Sequence, residues 1–376
     1  MSGTRSPRER GVRTNPARMQ LLIDCSLSLI NSTGAHYIAQ DLASAFGGKG
    51  IVRRWRLLRQ QLPIGIAKKI FARLMLREIA LLATSSRFVW PEPETIKLKR
   101  LFLDPLYVSR SRLEPSDIVL CHDIGPVSHP ELYDSETVTA YENAYAKIAA
   151  VKPGIVFVSN ASRLAFGARF GTDFRFLKTI SLYVRTGSLA GPSEPIPGIQ
   201  GPFFLTVGAL ERRKNQRTAI EAFAQFDFAR RGLSYILCGA RGAGAEEILV
   251  SAARTPGVKV LDYVPDAQLR WLYKEASGFV LPSLLEGFGM PALEAAFHGL
   301  VPVISRDSAL TEAVNGLAIE VDPLSVSDIG EAMDAVLALE KRKRNELKNA
   351  LVAHAQSATR ERFLREWDDL ISSELK

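Results

Sequence analysis

Glu286 and Glu294 stand eight positions apart around a short glycine loop, in the run Leu281-Pro-Ser-Leu-Leu-Glu-Gly-Phe-Gly-Met-Pro-Ala-Leu-Glu294. The apolar stretch before them, Gly278-Phe-Val-Leu-Pro282, reads as a buried strand. After the loop, Pro291 suits the first turn of a helix, where its missing N–H is no loss. Strand, glycine loop and helix N-terminus together make an anion site, because free backbone N–H groups and the helix dipole both favour phosphate. Neither carboxylate can favour an anion, so both serve better as acceptors for neutral hydroxyls. A phosphate flanked by hydroxyl-rich groups describes a nucleotide sugar, and that is the ligand this segment predicts.

Such residues need a scaffold, and strand-like runs alternating with helical periodicity supply one, in the pattern of parallel α/β sheets. Met19–Asp24 is the expected first strand, followed by a loop with Gly34 and a helix over Tyr37–Phe46. Later strands are expected over Asp117–Cys121 and Gly154–Val158, which places His122 and Asp123 at the carboxyl end of the first sheet, facing a cleft. Residues 185–202, rich in Pro and Gly, form the best linker. A second alternation starts at Phe203 and runs through Val321. The expected organisation is therefore a basic tail (1–18), a first Rossmann-like domain (19–184), a linker (185–202), a second Rossmann-like domain (203–355) and a final helical segment (356–376). Two doubly wound domains imply a cleft at the carboxyl ends of both sheets. No GxGxxG fingerprint follows any strand, which argues against a dehydrogenase. No Asp-x-Asp pair lies in a suitable loop, so neither a bridging metal nor any cofactor is expected.

Composition fits a soluble globular class, at 47% apolar and 23% charged residues. The 376 residues exceed one ordinary core. Cys25, Cys121 and Cys238 each fall in an apolar run without metal-ligand spacing, and read as reduced core thiols of a cytosolic protein. Residues 1–18, with five arginines and two prolines, read as a disordered tail, and neither a signal peptide nor a spanning helix is expected.

The net charge of +8 is concentrated early. Residues 1–110 hold nineteen Lys and Arg against seven Asp and Glu, a balance of +12, so the remainder carries −4. Arg53, Arg54, Arg56 and Arg59 form one cluster; Lys68, Lys69, Arg73 and Arg77 form another, with Lys69, Arg73 and Arg77 at helical spacing beside Ile70, Phe71, Leu74, Met75, Ile79 and Leu81. That composition predicts an amphipathic surface for anionic lipid, with a solvated helix face as the alternative. No nucleic-acid motif accompanies the charge, so nucleic acid is not an expected partner.

The Glu-x7-Glu segment resembles the signature of retaining GT-B glycosyltransferases of family 4 (group 1). Phe204-Leu-Thr-Val-Gly-Ala-Leu-Glu-Arg-Arg-Lys-Asn215, Leu261-Asp-Tyr-Val-Pro-Asp-Ala-Gln-Leu269 and Val301-Pro-Val-Ile-Ser305 match the family in order and spacing. Cys121-His-Asp-Ile-Gly125, His129-Pro-Glu131 and Val158-Ser-Asn-Ala-Ser162 match more loosely. The resemblance implies a GT-B fold whose first domain takes the acceptor, whose second takes the nucleotide sugar and whose last helix crosses back to the first domain. It also implies a retaining, metal-independent transfer from a nucleotide sugar to a lipid-linked or saccharide hydroxyl, at the inner face of the cell membrane. Lys214 would neutralise the donor diphosphate, following the turn at Gly208. Glu294 would accept from the ribose, Glu286 would contact the donor sugar, and His122 would hold sugar or acceptor near the reacting carbon. Gly287, Phe288, Gly289 and Met290 would lend N–H groups to the phosphates, Val264 would meet the base through its backbone, and Gly34 resembles the family's first glycine loop. The chain departs from the family at Ala209, where Arg is frequent, so Arg212 or Arg213 would have to supply the second cation. The lysine motif with His-Asp-x-Gly-Pro and His-Pro-Glu looks most like bacterial O-antigen and exopolysaccharide mannosyltransferases, which favours GDP-mannose as donor. The alternatives are a GT-B sugar-nucleotide epimerase and a catalytically inactive scaffold.

Overall fold

Short apolar runs form two parallel sheets in the computed structural model, which describes residues 21–30, 34–58, 63, 65–84 and 98–375. The first sheet comprises β1 (Leu21–Asp24), β2 (Gly50–Arg54), β3 (Leu57–Leu58), β4 (Lys99–Phe102), β5 (Ile118–Cys121), β6 (Gly154–Phe157) and β7 (Phe176–Thr179). Its order is β3-β2-β1-β4-β5-β6-β7, and only the β2–β3 pair is antiparallel. The second comprises β8 (Phe203–Val207), β9 (Ser234–Cys238), β10 (Val258–Leu261), β11 (Gly278–Leu281), β12 (Pro302–Ser305) and β13 (Ile319–Val321), in the order β10-β9-β8-β11-β12-β13. The expected class, two doubly wound α/β domains, is the observed one. Winding reverses between β1 and β4 and again between β8 and β11. In open parallel sheets that reversal leaves a crevice at the carboxyl ends of the strands.

Burial on both faces explains the strand sequences. Phe203, Phe204, Leu205, Phe279, Val280 and Leu281 are all essentially inaccessible, as central parallel strands covered by helices require. Pro302 is tolerated because it opens β12, where a missing N–H interrupts the ladder least.

The two lobes cross over twice, at neighbouring points. The segment 186–202 is a strap on the second lobe rather than a free linker. It holds a helical turn, Thr186–Leu189, and buries Leu189 and Ile199. Arg270 clamps it by donating to the carbonyls of Ser188 and Pro192, each at 2.7 Å. The return crossing precedes the helix Arg360–Glu374, where Val184 N–H donates to the Ala358 carbonyl at 3.0 Å. That helix lies on the first lobe: Arg360 pairs with Asp41 at 2.8 Å, Lys99 with Glu374 at 3.8 Å, and Phe363 packs on Tyr183.

The early basic stretch splits into two populations. Arg53 and Arg54, expected on a membrane surface, point inward instead. Arg53 donates to the buried Asp24 carboxylate (2.7 and 3.0 Å) and to Ser111, and Arg54 donates to Ser28. Burial alone would raise the Asp24 carboxyl, but Arg53 and Arg110 outweigh it and hold it below its ordinary value. Both arginines occupy the last two places of β2, at the carboxyl end of the sheet, where the fold delivers the Asp24 carboxylate to one and the Ser28 hydroxyl to the other. Arg56 is turned toward Glu78, at 3.3 Å, and lies over the Trp55 ring. The second cluster behaves differently. On the helix Gly65–Thr84, Met75 is fully buried while Lys69, Arg73, Arg77, Ile66, Ile70, Leu74, Leu76 and Leu81 are all exposed. The 1–18 tail, Met19, Ser32, Thr33 and Arg59 lie outside the described residues.

Candidate active site

The switch point of the second sheet gathers the charged residues that the spacing singled out. β8 ends at Val207 and turns through Gly208 (φ +142°), and a 3-10 turn, Arg212–Lys214, follows. Asn215 then takes the left-handed conformation (φ +56°), which Asn tolerates better than most residues. Its amide donates to the carbonyls of Pro282 (3.1 Å) and Pro323 (2.6 Å), tying the turn to the loops after β11 and β13. Lys214 is thereby aimed at that loop, and its ammonium forms an ion pair with the Glu286 carboxylate. Ser283 donates to the same oxygen at 2.9 Å. Arg213 reaches the other oxygen at 3.5 Å while pairing with Glu211 at 2.7 Å.

Electrostatics decide the protonation states of this cluster. Burial would raise the Glu286 carboxyl, but Lys214 and Arg213 more than compensate and hold it below the ordinary glutamate range. For Lys214 burial dominates and lowers its pKa against the pull of Glu286. Burial also disfavours the Arg213 cation, yet Glu286 and Glu211 raise its pKa. Of the two candidates for the cation missing at Ala209, Arg213 lies in the cluster. Arg212 pairs with Glu247 on the half-exposed surface.

Glu294 is 2% exposed, inside the helix Met290–Phe297. Gly289 precedes this helix at φ +98°, and no side chain caps its first turn. The Glu294 carboxylate is not empty-handed. Arg185 donates to Oε1 through Nε (3.0 Å) and Nη2 (2.6 Å), and Tyr273 donates its hydroxyl to Oε2 at 3.0 Å. Arg185 stands at the head of the expected linker and is not among the site residues that the sequence predicts. The available signal was slight: Arg185 and Glu194 are the only charged residues in 185–202.

The first lobe closes over this site. A Cβ on Gly287 would meet the His122 carbonyl oxygen at 2.5 Å, so only glycine allows the two loops to approach this closely. Ser159 and Ser162 donate to the Gly287 carbonyl at 2.6 and 3.1 Å, and Ser162 also donates to the His122 carbonyl at 2.9 Å. Gly287 thus spends its carbonyl on the other lobe. Glu312 accepts from Asn160 N–H (2.8 and 2.9 Å) and Ala161 N–H (3.2 Å), capping the helix Asn160–Phe170 from across the boundary. The His122 ring is half-buried, and its Nε2 donates to the Leu103 carbonyl at 3.2 Å. A carbonyl only accepts, so Nε2 carries the proton of that bond. Asp123 accepts from Gly125 N–H at 2.8 Å, and the Tyr133 hydroxyl lies in the same corner with Leu285. Gly34 opens the helix Gly34–Phe46 directly against Met290, whose sulfur would lie 2.7 Å from an added Cβ. Phe288 is buried, and Val264 packs at the core edge after β10. The structure therefore brings His122, Asp123, Gly34, Gly208, Arg213, Lys214, Glu286–Met290 and Glu294 to one boundary, and leaves Lys69, Arg73 and Arg77 on a separate outer face.

Two doubly wound lobes meeting at the carboxyl ends of their strands, with a cation–carboxylate cluster at one switch point, define the GT-B architecture. Residues 196–352 match the family described as Glycosyl transferases group 1. O-antigen chain mannosyltransferase B of Escherichia coli is 28% identical over 269 residues, covering 68% of this chain and 70% of that protein. The serotype-specific mannosyltransferase WbdA of Escherichia coli is 25% identical over 263 residues, 64% of this chain and only 31% of that longer protein. Sucrose-phosphate synthase from Thermosynechococcus elongatus shares the fold, with a TM-score of 0.67 at 18% identity over 95% of this chain and 99% of that one. The chain therefore has the GT-B fold, and its second lobe is similar in sequence to group 1 glycosyl transferases.

Proposed function

We propose that this glycosyltransferase is a retaining, metal-independent hexosyltransferase that moves mannose from GDP-mannose to a hydroxyl of a lipid-linked or saccharide acceptor in bacterial surface polysaccharide synthesis. The observation that carries the reading is the buried Lys214–Glu286 pair at the β8–β11 switch point, opposite the His122 loop. Negative charge grows on the diphosphate as the sugar departs, so Lys214 and Arg213 stabilise the transition state more than the ground state. No other cation is required for that task. Glu286 opposes the burial that lowers the Lys214 pKa and offers acceptors to the sugar hydroxyls, while Glu294 takes the ribose. No side chain is assigned as a covalent nucleophile; the departing phosphate oxygen takes the acceptor proton on the same face. Mannose and polysaccharide synthesis rest on the similarity to O-antigen mannosyltransferases.

The test is a thermal-shift panel of nucleoside diphosphates, followed by anomer analysis of the product. A bound ligand at roughly 100 times its dissociation constant stabilises by about 2.7 kcal/mol. GDP is expected to give the largest shift, and an α-mannoside the product. No shift with any nucleoside diphosphate would overturn the site, a larger shift with UDP would overturn the donor, and an inverted anomer would overturn the mechanism.

The exposed face of the helix Gly65–Thr84 supports an anionic membrane at the cytoplasmic side as the place of work. Lys69, Arg73 and Arg77 share it with Ile66, Ile70, Leu74 and Leu81, so basic heads and apolar side chains meet the same surface. Among the described residues no helix is long and apolar enough to cross a membrane. Co-sedimentation with anionic vesicles is expected, weakened by salt and by replacing Lys69, Arg73 and Arg77 with Glu, because each basic residue near such a surface contributes about 1 kcal/mol. Equal recovery with anionic and neutral vesicles would remove the membrane from the reading.

A further inference from the structure

Glu294 is a buried carboxylate whose strongest partner comes from outside its own lobe. Arg185 lies where the chain leaves the first lobe, next to Val184, which donates to Ala358 on the return crossing. Its guanidinium sits over the Tyr37 ring of the first-lobe helix, 4.6 Å from the centroid, and gives both donors to Glu294 Oε1. Burial works against the Arg185 cation, but Glu294 outweighs it and raises its pKa. The guanidinium is thus fixed by an aromatic face, a hydrogen-bonded backbone crossing and a carboxylate.

We propose that Arg185 is a positioning residue that orients Glu294 so that it reads one ribose hydroxyl of the donor and ties that reading to the docking of the two lobes. The proposal rests on the reading of Glu294 as the ribose acceptor. A carboxylate has about four acceptor positions. Arg185 fills two on Oε1 and Tyr273 fills one on Oε2. One position on Oε2 remains, so Glu294 accepts from a single ribose hydroxyl, 2′ or 3′, rather than from both. Two guanidinium donors converging on Oε1, with Tyr273 on Oε2, hold the carboxylate at both oxygens, which a single-point ammonium at Oε1 would do less firmly. The Tyr37 ring sets the guanidinium, so a shift of the first lobe is felt at the ribose.

The experiment is calorimetric titration of GDP, 2′-deoxy-GDP and 3′-deoxy-GDP into the wild type and the variants Arg185→Ala, Arg185→Lys and Tyr37→Leu. In the wild type one deoxy analogue is expected to bind about ten-fold more weakly than GDP, as for a lost hydrogen bond to a charged group, and the other to bind like GDP. In Arg185→Ala the affinity for GDP falls and the discrimination between GDP and the sensitive analogue collapses toward one. Arg185→Lys restores only part of it, and Tyr37→Leu lowers it by a smaller factor. A residue needed only for folding would weaken all three ligands equally and leave the ratio intact; that result overturns the proposal while leaving Glu294 at the ribose. If both analogues lose affinity in the wild type, the single-hydroxyl geometry is wrong. If neither does, Glu294 does not read the ribose and the underlying assignment falls as well. Should Arg185→Ala fail to fold, the Arg185→Lys and Tyr37→Leu ratios decide, and wild-type discrimination in both overturns the proposal.

Discussion

Glu286 and Glu294 are both buried beside the same glycine loop, yet they are held from opposite sides of the molecule. Glu286 finds Lys214, Arg213 and Ser283 within its own lobe. Glu294 takes Tyr273 from that lobe but its cation from Arg185, at the lobe crossing. The first arrangement is complete once the second lobe folds. The second is complete only once both lobes are docked. A group that must face developing charge benefits from the rigid setting, because preorganised partners need no rearrangement during the reaction. A group that grips the donor can be coupled to closure without losing that advantage.

The contrast between the two carboxylates rests most heavily on the cation of the rigid pair. Lys214→Ala is expected to lose about 10²-fold or more in turnover, as with other deleted transition-state contacts, with cooperative thermal unfolding retained. Near-normal turnover in a folded variant would show that the cluster is merely structural. The next contrast separates the carboxylates. Glu294→Gln is expected to weaken free GDP binding about ten-fold with turnover at saturation largely kept, since ribose contacts persist through the reaction as uniform binding. Glu286→Gln is expected to reduce turnover while changing GDP affinity little; calorimetry and kinetics giving the reverse pattern would exchange the two roles.

A smaller effect concerns pH. Lys214 and Arg213, overcoming burial, hold Glu286 below its ordinary range. A depressed carboxyl contributes stability that is present above its unfolded pKa and lost as pH falls through the folded one. Wild type is therefore expected to be more stable than Glu286→Gln by a constant margin near neutrality, with the margin shrinking on acidification below the ordinary glutamate range. Denaturant midpoints measured down that range check it, and a margin that grows on acidification would contradict the pairing. The smallest effect is at the lobe boundary. Glu312→Gln removes the charge that caps the helix Asn160–Phe170, and a cap is worth about 1 kcal/mol. A midpoint unchanged within error would mean that the lobes are held by the Ser159 and Ser162 contacts to Gly287 instead.

Much of the second lobe is legible without coordinates because its signals are local. β8, β9 and β11 are continuous apolar runs, and Gly208, Lys214, Glu286 and Glu294 occur at fixed distances from strand ends that the chain itself sets. The first lobe is harder to read. Arg53, Arg54, Lys69, Arg73 and Arg77 look alike in composition, yet the first two turn inward to Asp24 and Ser28 while the last three face out. The difference lies in which partner the fold delivers, 29 positions away along the chain for Arg53 and Asp24.

The alternation of elements, the two doubly wound lobes and the charged and glycine residues at the ends of β8 and β11 are local properties of the chain, because strand burial, turns and helix starts depend on neighbours along it. The tertiary structure alone brings Arg185 to Glu294, sets Glu312 on a helix of the other lobe and requires glycine at 287 for the approach to His122. Those contacts join residues 109, 152 and 165 positions apart. No local periodicity encodes such a pairing, since its energy appears only when two separately folded surfaces meet.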